Sequence, residues 1–278
     1  MSRIGDLVPE LVREHLRDYE LEYLQGVFER LGGRFPELEE IWALMDEPWR
    51  QLKCNPTLMD ERIGQFYDHP VWLLNGLFIE QHDLSLKNRE GFTDWVVRQT
   101  PSRVADFGGG FGSLARMIGD EIPAASVEVI DPHPHPAGAA LAANTPNVKF
   151  ADKLTGEYDI IIATDVFEHV PDPLALATET AAHLRVGGQY LIANCFRPVI
   201  LCHLPQSFHF LHSWDQAMNA VGLKPEETVV YGRSFRRLGE LDIAPGRKVE
   251  AKSRKLHQFS RFLPGRVGRP LTRLLLTD

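Results

Sequence analysis

The chain has 278 residues, of which 44% are hydrophobic and 24% charged, with a net charge of −8, enough for one large domain or two small ones around an ordinary core. No apolar run reaches the eighteen or so residues of a membrane span, and the N-terminus lacks the basic flank and apolar stretch of a secretory signal, so a cytoplasmic location is expected. Cys54, Cys195 and Cys202 are too few and too unevenly spaced for a disulfide framework and form no C-x-x-C pair, which leaves reduced, mostly buried thiols.

Residues 1–100 read as helical. In LVREHLRDYELEYLQGVFERLGG, Leu16, Tyr19, Tyr23, Leu24, Val27 and Leu31 recur at three- and four-residue steps, and Gly32-Gly33 ends the run. From Ser102 to about Tyr231 the short apolar runs RVADF, SVEVI, NVKF, YDIIIAT, QYLIAN and ETVVYG alternate with helix-like segments. Alternation of this kind predicts an α/β fold with a doubly wound, mostly parallel sheet. Three regions follow: a helical N-terminal cap at 1–100, an α/β core at 101–232, and a final strand or hairpin with a basic tail at 233–278. In the last, GELDIAPGRKVEAK is expected to supply a hairpin strand, ahead of a stretch broken by Pro264, Gly265, Gly268 and Pro270.

Charge is distributed unevenly. Residues 233–278 hold twelve Lys and Arg against four acids, a local charge of +8, so the other residues must carry −16. An acidic core argues against nucleic acid as a partner. The basic tail admits contact with an anionic surface, with solvated surface as the plainer reading.

In VADFGGGFGSLARMIG an apolar run and Asp106 are followed by four glycines within five positions, and then by a helical pattern. Bare backbone there lets a ligand approach the main chain, and the helix start offers unpaired N–H groups, so a nucleotide-like ligand is expected. Gly110-x-Gly112-x-x-Ala115 fits the dinucleotide fingerprint G-x-G-x-x-[G/A], a weak signal alone. Asp106, just before the glycines, and Asp131, closing the next strand in VEVIDP, tip the reading. A carboxylate beside the loop repels a pyrophosphate and suits a ligand carrying an ammonium group, such as S-adenosylmethionine. Tight packing and helix capping are the structural alternatives for these residues.

The segments VADFGGGFG, VEVIDP, YDIIIATDVFEHVPDP and LRVGGQYLIAN resemble, in order and spacing, the successive motifs of class I S-adenosylmethionine-dependent methyltransferases. They look methyltransferase 11/23-like and are distantly similar to ubiquinone-pathway O-methyltransferases; the resemblance covers about Ser102 to Tyr231. It implies a seven-stranded Rossmann-like sheet with a helical N-terminal cap, and S-adenosylmethionine as cofactor. On the matching positions, Asp106 and the backbone of Gly108, Gly110 and Gly112 would hold the methionine end and Asp131 the ribose hydroxyls. Pro132 would pack on the adenine face and Asp152 would meet the adenine amino group, although a loop acid such as Asp152 is equally suited to capping. His133 and His135 in HPHP depart from the apolar residues usual there. In this fold such N-terminal helices commonly cover the acceptor pocket, so Phe66, Tyr67, Trp72 and Phe78 are candidates to line it, with core packing the role of most of them.

ATDVFEHVPDP ends the fourth apolar run, at the edge where open α/β sheets bind ligands. Asp165, Glu168 and His169 form an acid-x-x-Glu-His cluster and are expected to be catalytic. It is similar to clusters in the ubiquinone-pathway O-methyltransferases and the small-RNA-end 2′-O-methyltransferases, where the residues look like ligands for a divalent metal that also grips vicinal oxygens. Here Asp165 stands where a Glu often stands, and a further His is wanted downstream; CHLPQSFHFLHSW offers His203, His209 and His212. The candidate metal set is Asp165, Glu168, His169 and His209. Two carboxylates with imidazoles suit a divalent cation with open positions, which would lower the pKa of a hydroxyl acceptor. Without a metal, His169 would serve as base or cap the next helix. Ser213 and Gln216 read as a capping box, and Cys202, His203 and His209 match no structural zinc spacing.

These readings converge on a methyltransferase acting on a hydroxyl of a small molecule or sugar, with N- and C-acceptors open. Displacement at a sulfonium depends on alignment, worth roughly 7–11 kcal/mol, more than on a general base, worth about two to four orders of magnitude in rate. A nucleotide-binding oxidoreductase would need a Tyr-x-x-x-Lys relay, which the sequence lacks. A non-catalytic S-adenosylmethionine-binding protein would show a decayed donor site, whereas the glycines and both acids are intact. A homodimer is compatible with this reading.

Overall fold

The structure is a computed structural model and describes residues 4–260. Within them the chain forms two compact units, residues 4–154 with 200–202 and residues 155–199 with 203–260. The first unit opens with α1 (Ile4–Leu7), α2 (Glu10–Arg13), α3 (Asp18–Arg30), α4 (Leu38–Gln51), α5 (Glu61–Tyr67), α6 (Val71–Ile79) and α7 (Asp83–Gln99). Helix α3 stops where Gly33 donates to the Phe28 carbonyl at 2.8 Å, the preceding Gly32 being at φ +71°. Its buried face is Glu20, Leu24, Val27 and Phe28, so the inward stripe includes an acid and leaves Tyr19 exposed. Helix α6, VWLLNGLFI, is apolar around most of its circumference and buries five of its nine residues. Phe66 and Phe78 are core residues, whereas Tyr67 and Trp72 are half-buried and stack at 5.1 Å.

Strands β1 (Arg103–Phe107), β2 (Ser126–Ile130) and β3 (Val148–Ala151) follow, with α8 (Ser113–Glu121) and α9 (Pro136–Leu141) as the intervening helices. They pair in parallel, Phe107 with Ile130 and Ile130 with Ala151, which levels their carboxyl ends. The central residues of β1 are buried, as expected of strands covered on both faces.

The second unit contains β4 (Tyr158–Thr164), α10 (Pro173–Ala181), β5 (Leu184–Ala193), α11 (Trp214–Val221), β6 (Leu223–Val229), β7 (Gly232–Arg237) and α12 (Ile243–Ser260). β4 and β5 are parallel, and β7 is antiparallel to both β5 and β6. The strand order β3-β2-β1-β4-β5-β7-β6 is that of a doubly wound, mostly parallel α/β sheet of seven strands.

The end of the chain departs from the sequence expectation. The last strand is GRSFRR, and most of GELDIAPGRKVEAK belongs to α12. Arginines hide this strand: Ser234 and Phe235 are buried while Arg236 bonds Glu226 and Arg237 the Ala182 carbonyl. Helix α12 shows no apolar stripe because its buried positions, Gly246, Glu250 and Ser253, are small or polar although helically spaced. A Cβ on Gly246 would lie 2.6 Å from Val221 Cγ2, so glycine sets how closely α12 packs on α11. The part of the expected basic region 233–278 from Arg261 on, with Pro264, Gly265, Gly268 and Pro270, lies outside the described residues. Among the described residues no helix is long and apolar enough to cross a membrane.

Candidate active site

β1 carries Asp106 near its carboxyl end, and the chain then turns through Gly108–Gly112 into α8. Asp106 is 1% exposed, and its Oδ2 has no hydrogen-bond partner among the described residues. Burial pushes this carboxyl up to about 6, against the opposing pull of Arg89 and the Ala115 N–H. A Cβ on Gly109 would sit 2.5 Å from the same Oδ2, so only glycine lets the loop lie over the carboxylate. Gly108, Gly110 and Gly112 take φ of +74°, +53° and +70°. At Gly110 a Cβ would meet nothing within 4 Å; the backbone angle alone calls for glycine, and the space over the loop stays open.

Asp131 follows β2 directly. Its Oδ1 accepts from the His133 N–H at 2.8 Å and its Oδ2 from the Gly110 N–H at 3.2 Å, while its own N–H donates to the Ala151 carbonyl at 3.1 Å. The acid after β2 is thus tied to the glycine loop after β1. Pro132 and Asp152 stand exposed just beyond β2 and β3.

Two residues around this loop, Arg89 and Phe111, are not marked in the sequence, and Arg89, on α7, has no pattern that ties it to Asp106. Gly109 belongs to the run of four glycines and His135 stands out in HPHP, but no local signal gives the roles they take here. Phe111 is buried and faces Gly76 on α6, where a Cβ would come within 3.0 Å of its ring. His135 caps α9: its Nδ1 accepts from the Ala137 N–H at 3.1 Å, so Nε2 carries the hydrogen toward Glu20 Oε1 at 3.3 Å. Its ring lies 5.7 Å from that of Phe111. A histidine in place of an apolar residue thereby links the loop after β2 to α3.

The acid–histidine cluster is in the second unit. Asp165, just past β4, has φ +53°, a left-handed angle that is costly for a residue with a Cβ. Its N–H donates to the Ala193 carbonyl at 2.7 Å and its Oδ2 accepts from the Tyr231 hydroxyl at 2.8 Å. The 3₁₀ turn Phe167–His169 then buries Glu168 completely. Glu168 Oε1 accepts from the Cys195 N–H at 2.6 Å, and Oε2 has no partner among the described residues. Burial, reinforced by the Asp165 charge, holds this carboxyl well above the usual carboxylate range. The His169 ring meets that of His203 edge-on at 4.9 Å. His203 is buried, with Nδ1 2.7 Å from the Arg197 carbonyl, which places its hydrogen there and leaves the lone pair on Nε2. One ligating atom each from Glu168, His169 and His203 lies within 4.8 Å of the other two.

The downstream histidine brought beside Glu168 and His169 is therefore His203, and of the expected metal set Asp165 and His209 lie outside this group. His209 lies in the 3₁₀ segment Pro205–His212, which turns it toward α12: its Nδ1 is 3.3 Å from Ser253 Oγ and its Nε2 3.9 Å from Glu250 Oε1. Burial pushes its imidazole down to about 4. Asp165 stays outside the three-residue group, exposed and bonded to Tyr231. Ser213 makes no side-chain cap to α11: its hydroxyl is turned toward Ser253 Oγ at 2.7 Å, with the His209 carbonyl 3.2 Å away.

Residues 78–228 match the sequence profile of a family described as a methyltransferase domain. The chain is 28% identical over 193 residues to the ubiquinone biosynthesis O-methyltransferase of Dechloromonas aromatica (strain RCB), a match spanning 58% of this chain and 81% of that one. It is 27% identical over 221 residues to the protein of the same name from Albidiferax ferrireducens, spanning 68% of this chain and 79% of that one. Among solved structures, an O-methyltransferase family protein from Burkholderia thailandensis aligns with a TM-score of 0.49 at 14% identity, over 72% of this chain and 71% of that one.

Proposed function

The chain belongs to the methyltransferase-domain family and is a class I S-adenosylmethionine-dependent methyltransferase; on that premise we propose that it methylates a hydroxyl oxygen of a small-molecule or sugar acceptor. The observation that carries the donor site is Asp106, a buried carboxylate with an orphaned oxygen under a glycine loop. A cation satisfies that oxygen, and the donor's ammonium group is one. Asp131 is held by two N–H groups and keeps lone pairs for two ribose hydroxyls, while Gly108, Gly110 and Gly112 give the methionine end access to main chain. Pro132 and Asp152 are the adenine contacts in this reading. When bound, the donor supplies an electrophilic methyl group on sulfur.

His169 is the base that takes the acceptor proton, and Glu168, kept neutral by burial, orients the acceptor through a hydrogen bond. Asp165 holds the edge of the site through Tyr231. The relatives bear the name O-methyltransferase, which supports oxygen as the methylated atom.

A second reading of the cluster rests on the proximity of Glu168, His169 and His203. One carboxylate and two imidazoles, with His203 oriented by a carbonyl, form a donor set suited to a divalent transition ion. Such an ion would lower the pKa of an acceptor hydroxyl. Chelation separates the two readings: activity lost with chelator and restored by a divalent ion supports the metal, and activity indifferent to chelator supports His169 alone.

The deciding experiment incubates the protein with methyl-labelled donor and a fractionated extract, then identifies the labelled product. An O-methyl product is expected. Label on nitrogen or carbon overturns the hydroxyl reading, and binding of NADH without binding of S-adenosylhomocysteine overturns the donor site.

A further inference from the structure

Asn194 follows the last residue of β5, and both polar atoms of its side chain are shielded from solvent without a hydrogen-bond partner among the described residues. An amide in that state has given up its hydrogen bonds to water and recovered none, which folded chains rarely tolerate without a reason. Its neighbours fix its place. Ala193 accepts the Asp165 N–H at 2.7 Å, and Cys195 donates its N–H to Glu168 Oε1 at 2.6 Å. Asn194 is therefore clasped between residues bonded to two members of the acidic cluster, where parallel β4 and β5 end together at Thr164 and Ala193. The same edge carries a second orphan, the buried Oε2 of Glu168, and a non-glycine residue in left-handed backbone, Asp165. Behind it, Ile160–Ala163 and Tyr190–Ala193 are buried, and all of them but Tyr190 lack a polar side-chain atom. The Tyr190 hydroxyl is committed to Thr180 Oγ1 at 2.8 Å.

Orphaned polar atoms and backbone strain gathered at the carboxyl ends of β4 and β5, the edge at which open α/β sheets bind ligands, indicate a surface shaped for something other than its own stability. We propose that Asn194 is a specificity-determining residue that recognises the acceptor: Nδ2 donates to, and Oδ1 accepts from, a polar group carried by the molecule that is methylated. The favoured acceptor presents a hydrogen-bond donor and acceptor side by side, as a hydroxyl next to a carbonyl does, because the amide offers both functions in one plane. This rests on the hydroxyl-methyltransferase reading above.

The test compares the whole protein with Asn194→Leu, which keeps the branched shape and removes both orphans, and with Asn194→Ala in case the larger leucine does not fit. Melting is followed without ligand, S-adenosylhomocysteine affinity by calorimetry, and turnover on the extract fraction that the wild-type protein labels from methyl-labelled donor. The expected result is a melting temperature equal to or above wild type for Asn194→Leu, donor affinity within about twofold, and a drop of about a hundredfold in kcat/KM for the fraction. A melting temperature several degrees lower in both variants makes Asn194 structural and overturns the proposal. Retained turnover overturns it as well, and a tenfold loss of S-adenosylhomocysteine affinity reassigns Asn194 to the donor. A wild-type protein that binds no S-adenosylhomocysteine counts against the methyltransferase site itself, a separate failure, and the melting comparison still decides whether Asn194 is structural.

Discussion

Asp106 loses its charge in the folded protein as pH falls through about 6, well above the ordinary Asp value, because burial penalises the carboxylate. Its ionisation therefore costs stability as pH rises through that window, yet it is the ionised form that attracts an ammonium group. S-adenosylhomocysteine affinity is expected to fall about tenfold per pH unit below 6. Asp106→Asn should lower affinity by about 1.5–3 kcal/mol and flatten that profile; calorimetry from pH 5 to 8 checks both, and an unchanged slope in the variant would assign it to another group. Asp131→Ala should cost a similar amount, since it removes hydrogen bonds to the ribose. The second cluster has a sharper test in Glu168→Gln, which preserves a carbonyl for the Cys195 N–H. A neutral orienting Glu168 predicts turnover within about tenfold of wild type, whereas a metal ligand predicts a loss of two orders of magnitude or more, as His169→Ala does in either case. Donor affinity should be unmoved in both. At this scale local context is enough to single out Asp106, Asp131 and Glu168 in the sequence as candidates. His203 could not be separated from His209 and His212, since only the path of the intervening segment decides which ring meets His169.

Helix α12 shows what an element hides when its inward face is not apolar. Gly246 packs against Val221, Leu174 and the Ala217 carbonyl, so Gly246→Ala should destabilise by about 1–3 kcal/mol in chemical denaturation. Gly26, inside α3 with nothing within 4 Å of a Cβ, is the control: Gly26→Ala should stabilise by roughly 0.5–1 kcal/mol. Helix α12 also holds His209 buried beside Ser253 and Glu250, with the imidazole pushed down to about 4 from 6.5. The unfolded chain then binds a proton that the folded one refuses, so stability is present above about pH 6.5 and falls as pH drops through 4. The loss is on the order of 1–3 kcal/mol. His209→Gln should flatten stability between pH 4 and 6.5, and a variant that keeps the full dependence would place its origin elsewhere.

Across the whole chain, donor binding and stability are linked. S-adenosylhomocysteine at a hundred times its Kd adds about 2.7 kcal/mol to the state that binds it, and should raise the melting transition that includes residues 4–154 by several degrees. NADH at equal concentration should leave it unmoved; calorimetric scans decide. A chain cut after Ser260 keeps α12, in which Ser253 is buried, and removes four Arg and one Asp, a charge of +3 out of the +8 of residues 233–278. What the sequence determined by itself is whatever is encoded over a few residues: β1, β2 and β4 coincide with the runs RVADF, SVEVI and YDIIIAT, in which short β-branched and apolar stretches mark the buried strand positions. The glycine loop is local in the same way, because positive φ is a property of single residues. Tertiary structure alone decided that β7 lies between β5 and β6, that a face of Gly246, Glu250 and Ser253 points inward, that His203 and not His209 meets His169, and that Asn194 is left with a buried, unpaired amide. Each of these depends on partners far away in the chain, and pairing between distant segments is set by packing and hydrogen bonding in three dimensions, which leave no period or motif in the sequence to read.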